Sequence, residues 1–327
     1  MGTVRLARHY QLERIMVSGQ LSAVQIGVPV LLLDVTAEHL LADLRAVADR
    51  FLSNARPALR LLTFLSRKHV QWVNLAVRAR GISGHGPAFA DLEWRRGGVL
   101  AVPSPSSRPL IDSHRLSSKT MQDMIARLEG SPYREPLLAA IEHLASGHQA
   151  RFVTDAILFG FTALETLTSG IHEANGSDRI LGSSAFDKLA HEVRVAVEKR
   201  VSEQAALGEI LQKIPELNRP PIVRQVVRLL EEHSVDTRGL WAEGTDPSVG
   251  LRELFGRRNT FLHAGKLESV LQASLDAERA LALAEGIAFA LLEGQERWLD
   301  SEAHYWMSSI AEREAKFRAM PSDEWRP

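Results

Sequence analysis

The chain has 327 residues, 45% of them hydrophobic and 24% charged, the composition of an ordinary globular protein with material for a sizeable core. Its 39 basic and 40 acidic residues leave a formal charge of -1, which excludes a global field drawing it onto nucleic acid or an anionic membrane, so any such site must be local. No cysteine is present, which removes disulfides, thiolate zinc sites and cysteine nucleophiles together and fits a reducing interior.

The opening Met1–Leu6 lacks the apolar run of a signal peptide, and no later segment approaches the ~20 charge-free apolar residues of a membrane helix; a cytoplasmic protein with no membrane contact is expected. Val24–Leu33 and Val70–Arg78 are rich in β-branched and aliphatic residues and read as strands. Between them Leu40, Leu41, Leu44, Val47, Ala48, Phe51 and Leu52 fall at helical spacing, with Thr36 placed to cap the start. Residues 1–102 are therefore expected to form an α+β domain. Gly81–Pro87 is glycine-rich after a strand, but no G-K-[ST] follows, so it reads as a mobile turn rather than a phosphate loop.

Ala101–Ser118 concentrates proline and serine, breaks both periodicities, and places a connection at 103–129. From there the pattern is helical: about 133–147, 150–169, 184–213, 220–234, 248–264 and 268–299. Residues 130–300 are thus expected as an all-α helical-bundle domain, followed by a helical tail at 301–327; Trp298, Tyr305 and Trp306 with Ile310 and Phe317 give the C-terminal segment an apolar side. Phe152–Leu167 is apolar on every face and is expected to be the central helix. Glu165 within it must find a partner, become protonated, or lie on an exposed edge.

Leu251, Leu254, Phe255, Arg258 and Leu262 make one helical stripe, interrupted by arginine. An arginine among apolar neighbours is costly unless paired, and Glu165 is the expected partner. Asn259 and His263, four apart, share an adjacent face, whereas Arg258 and His263 point ~140° apart. One helix does not converge those two on a small ligand; two copies facing each other across a dimer axis would. Gly265 suits a C-terminal cap, which puts His263 in the last turn, where the helix dipole favours the imidazolium and proton exchange near neutral pH is available. The competing structural reading is that His263 caps carbonyls while Arg258 and Glu165 make a buried pair.

Arg258-Asn259-Thr260-Phe261-Leu262-His263-Ala264-Gly265 resembles the R-x4-6-H motif of HEPN domains, most of all the Apea-like branch, and Phe161–Leu167 is similar to that family's preceding helix with its A-L-E-x-L context. The resemblance covers about 130–300. It implies a helical bundle that dimerises through the Arg258–His263 helix and, in many members, a metal-independent endoribonuclease. In that role His263 would act as general base or acid on the RNA 2′-hydroxyl, Arg258 would stabilise phosphorane charge, and Asn259 would orient the histidine or a phosphate oxygen, with Glu165 in support. Members often serve as toxins or antiviral-defence effectors, while others are non-catalytic dimers that bind a ligand or partner. Ala264 stands where many members carry glycine, a departure in the cap that leaves both catalytic side chains in place.

A non-catalytic HEPN dimer in which residues 1–102 recognise a signal or partner is the alternative, and nucleotide modification or transfer is a third reading. No H-E-x-x-H or other metal-ligand spacing occurs, so neither a metal nor a cofactor is expected. The charged stretch 184–213, with His191-Glu192 and Glu198-Lys199-Arg200, reads as a solvated face.

Overall fold

Small side chains decide how closely the helices of this protein approach. The computed structural model describes residues 3–17, 20–34, 44–67, 74–83, 86–95, 110, 118–267, 269–292 and 309–319. The chain divides into two compact units, one of residues 1–51 and 74–95, the other of residues 52–73 and 96–327.

In the first unit β1 (Thr3–Val17) pairs antiparallel with β2 (Gln20–Asp34), from Thr3 opposite Asp34 to Val17 opposite Gln20. β3 (Asn74–Ser83) pairs antiparallel with β4 (Gly86–Arg95), ending at Ser83 opposite Gly86. Most of the expected glycine-rich turn at 81–87 is therefore strand: Gly81 to Ser83 belong to β3 and Gly86 and Pro87 to β4. Helix α1 spans Leu44–Ser66, and Leu40, Leu41 and Thr36, the expected cap, lie outside the described residues.

The second unit is an all-helical bundle: α2 (Ser118–Gly130), α3 (Arg134–His148), α4 (Val153–Ala174), α5 (Ser183–Arg200), α6 (Gln204–Lys213), a 3₁₀ turn at Ile214–Asn218, α7 (Ile222–Glu232), α8 (Pro247–Ala264), α9 (Val270–Leu292) and α10 (Ile310–Ala319). The second half of α1 also belongs here, because Leu61, Phe64 and Leu65 are buried in the helical core. So does α2, through Met124 and Leu128, where the sequence suggested a connection. Much of the proline- and serine-rich stretch, and Trp298, Tyr305 and Trp306, lie outside the described residues.

The helix enclosed all round is α9 rather than α4: nearly every residue from Ala273 to Leu292 is buried. α4 packs on α3, α7 and α9 but leaves Asp155 and Leu158 exposed and Thr162, Glu165 and Thr166 half-buried, so one edge escapes the core. Where α4 meets α9 the backbones come close. A Cβ at Gly160 would lie 3.2 Å from the Ala280 Cβ and 3.3 Å from the Ala277 carbonyl oxygen. The expected single helix at 184–213 is two, because Val201–Glu203 leaves the helical path without any glycine or proline to announce it. Among the described residues no helix is long and apolar enough to cross a membrane.

One buried group of polar side chains gathers on a carboxylate of α9. Glu285 of α9 accepts from Arg67 Nε at 2.7 Å and Arg67 Nη2 at 2.5 Å, and its Oε1 lies 2.6 Å from His148 Nε2 at the end of α3. Burial alone pushes this carboxyl up, but the combined pull of Arg67 and His148 reverses the sign and holds it at about 2.

Candidate functional site

Helix α8 is fixed at both ends by its own sequence. Asp246 caps the start, its carboxylate accepting from the Ser248 N–H at 2.7 Å, and Pro247 occupies the first turn, where its missing N–H costs nothing. Gly265 ends it in the left-handed conformation, φ 61°, and donates its N–H to the Phe261 carbonyl at 2.8 Å. His263 therefore sits in the last turn, as the glycine position indicated.

The stripe that carries Arg258 is buried only along its first part. Leu251, Leu254 and Phe255 are enclosed, while Leu262, expected in the same stripe, is 41% exposed. The helix leaves the core one turn after Phe255. At that point Arg258 turns toward α4: its Nη2 lies 2.8 Å and 3.0 Å from the two carboxylate oxygens of Glu165, the partner the sequence pointed to. The pair is half-buried rather than enclosed, at 23% and 32% side-chain exposure. Its guanidinium also stands 5.8 Å from the centre of the Phe161 ring, which meets Phe255 edge-on at 5.3 Å. Burial pushes the Glu165 carboxyl above its ordinary value, and the Arg258 charge opposes that rise.

Asn259 is exposed and accepts from Arg258 Nη1 at 3.1 Å. Its amide oxygen thus orients the arginine; among the described residues no hydrogen bond joins it to His263. His263 is exposed, with no hydrogen-bond partner among those residues. Arg258, Asn259 and Glu165 are brought together, and His263 stands apart from them on the same helix.

Behind Arg258 a narrow cleft of about 30 Å³ lies between Phe161, Phe261, Ala273 and Asp276. That space takes a water or two and no nucleobase, so a polymeric ligand must meet this helix from its exposed side. Leu158 on the open edge of α4 is 48% exposed, and with Leu262 it gives the region an apolar component beside the Arg258 charge. Among the described residues no group of three or more histidine, aspartate or glutamate side chains could hold a metal ion.

Sequence reasoning passed over Arg257, whose fork grips Asp276 of α9 with Nε at 2.6 Å and Nη2 at 2.9 Å. The available signal was Asp276 itself, an acidic residue three positions before Arg279 inside a mostly apolar helix. No family model, curated protein or solved structure matches the chain.

Proposed function

We propose that the exposed end of α8 is the working site of a metal-independent endoribonuclease of HEPN type, assembled when two copies face each other through the Arg258–His263 helix. The observation that carries this reading is the division of labour on one helix. Arg258 is oriented by Glu165 and Asn259, while His263 is exposed and hydrogen-bonds to no side chain among the described residues.

In the reaction His263 takes the proton of an RNA 2′-hydroxyl, and O2′ forms a bond to the adjacent phosphorus as the bond from phosphorus to O5′ breaks. A protonated histidine, supplied by the second copy, returns a proton to the leaving O5′. The products are a 2′,3′-cyclic phosphate and a 5′-hydroxyl. Arg258 stabilises the extra charge on the phosphorane oxygens, a role that suits an always-protonated planar donor. Because Arg258 and His263 point ~140° apart on one helix, each arginine works with the other copy's histidine.

In this reading the unit of residues 1–51 and 74–95, rather than the whole of 1–102, senses a trigger or partner, and the protein acts in the cytoplasm as a toxin or antiviral effector. The exposed Leu158 and Leu262 favour a second reading in which the same face only dimerises, without catalysis. Incubation of the protein with RNA in the presence of a chelator separates the two. The enzyme yields 2′,3′-cyclic phosphate ends and leaves RNA with a 2′-deoxy sugar at the cut position intact. Intact RNA throughout, with a dimer in solution, selects the binding module. RNA that is modified instead of cut, on incubation with ATP and mass spectrometry, selects nucleotide transfer.

A further inference from the structure

Two successive arginines on α8 pair with different helices, Arg258 with α4 and Arg257 with α9. Arg257 reaches α9, where the Asp276 carboxylate receives its fork. Asp276 is buried, and its Oδ1 accepts further from Gln272 Nε2 at 3.0 Å and Arg279 Nη1 at 3.1 Å. Arg279 is completely enclosed: Nε donates to the Leu240 carbonyl at 2.8 Å and Nη2 to Glu314 Oε2 of α10 at 2.5 Å. Glu314 also accepts from Arg318 at 3.0 Å. Positive and negative groups therefore alternate without interruption from the C-terminal helix to the residue beside Arg258.

A fork held at two points does more than attract. A bidentate arginine–carboxylate pair fixes direction as well as distance, so it sets the rotation of α8 about its own axis. Rotation that loosens Arg257 swings Arg258 through the same angle. A turn of roughly 10° displaces a guanidinium by ~1 Å, and misplacement on that scale costs about a hundredfold in a positioned reaction.

We propose that Asp276 is a positioning residue for the Arg258 site: by gripping Arg257 it sets the rotation of α8, and Glu314 on the C-terminal helix secures Arg279, the other arginine on that carboxylate. The proposal rests on the reading of Arg258 as the group that stabilises phosphorane charge. A role limited to holding the fold would lower stability alone. A positioning role moves Arg258 relative to Glu165 and relative to the phosphate.

The test uses the full chain with Asp276→Asn, Glu314→Gln and Arg257→Lys, the last of which keeps the charge and loses the fork. RNA cleavage kinetics and the titration of the Glu165 carboxyl by NMR are measured on each. Asp276→Asn and Arg257→Lys lower kcat about tenfold with KM within about twofold, and Glu314→Gln lowers it about threefold. In the first two the Glu165 midpoint moves to higher pH as its cation moves off. Folded variants in which Glu165 titrates as in the parent chain overturn the proposal. Should Asp276→Asn fail to fold, Arg257→Lys decides alone. If the parent chain cuts no RNA, the ribonuclease reading falls, and the Glu165 titration still decides whether Asp276 places Arg258.

Discussion

Two groups of the same three residue types, one glutamate, one arginine and one histidine, occur in this bundle and behave in opposite ways. Glu285 is fully buried with Arg67 and His148 both on its carboxylate, and it is held at about 2. Glu165 is half-buried with Arg258 as its ionic partner, its carboxyl is pushed upward, and His263 stays at the surface. Burial raises both carboxyls, and the number of cationic donors decides whether that rise is overcome. The sealed group has two and serves the fold. The open group has one, and its histidine is exposed.

The largest expected effect lies in the sealed group. Glu285→Ala removes a buried carboxylate that Arg67 and His148 both contact and should cost about 3–5 kcal/mol, read by chemical denaturation. Loss of less than about 1 kcal/mol would mean that the group is no more structural than its open counterpart. Acid titration sharpens the contrast, because the two carboxyls are shifted in opposite directions. A folded pKa depressed to about 2 gives Glu285 a contribution of about 3 kcal/mol, present above an unfolded pKa of about 4.3 and lost as pH falls toward 2. Glu165, raised in the folded state, favours the fold below its unfolded pKa and loses that contribution as pH rises through the folded value. Glu285→Gln should flatten the acid limb of stability against pH, and Glu165→Gln should remove a smaller slope of the opposite sign.

Helix α8 allows the same contrast within one element. A Cβ at Gly250 would fall 2.4 Å from the Trp241 indole ring, whereas one at Gly256 would meet nothing within 4 Å. Gly250→Ala should therefore destabilise by about 1–3 kcal/mol. Gly256→Ala should stabilise by up to about 1 kcal/mol, because an exposed helix interior favours alanine. Thermal melts of the two single variants check both signs. Arg258→Ala removes the cation from a half-exposed pair and should cost about 1 kcal/mol, while His263→Ala should change stability by no more than ~0.5 kcal/mol.

Much of the site was legible because polar groups in apolar surroundings announce that they need partners. Glu165 inside Phe161–Leu167 and Arg258 inside a leucine stripe called for each other, and they meet at 2.8 Å. Gly265 gave the end of α8, since few other residues take a positive φ without cost. Leu262 misled, because a stripe assumes a groove as long as the helix, and this helix leaves the core after Arg258. Phe152–Leu167 reads as the central helix because it is apolar on every face, yet Phe152 and Leu158 are exposed. The enclosed helix is α9, and its Asp276, Arg279 and Glu285 concealed that role, since charges suggest surface until their partners on α3, α8 and α10 and at Arg67 just after α1 are known. The break at Val201–Glu203 carries no glycine or proline, and α2 keeps its apolar spacing at Met121, Met124 and Leu128 beyond a serine pair that looked like a linker.

The claim that the open group acts on something outside the chain is tested most directly by His263→Ala, measured side by side for thermal midpoint and for metal-free RNA cleavage. An unchanged midpoint with cleavage reduced at least about a hundredfold is the expected result. RNA cut equally by both chains, or by neither, would contradict it.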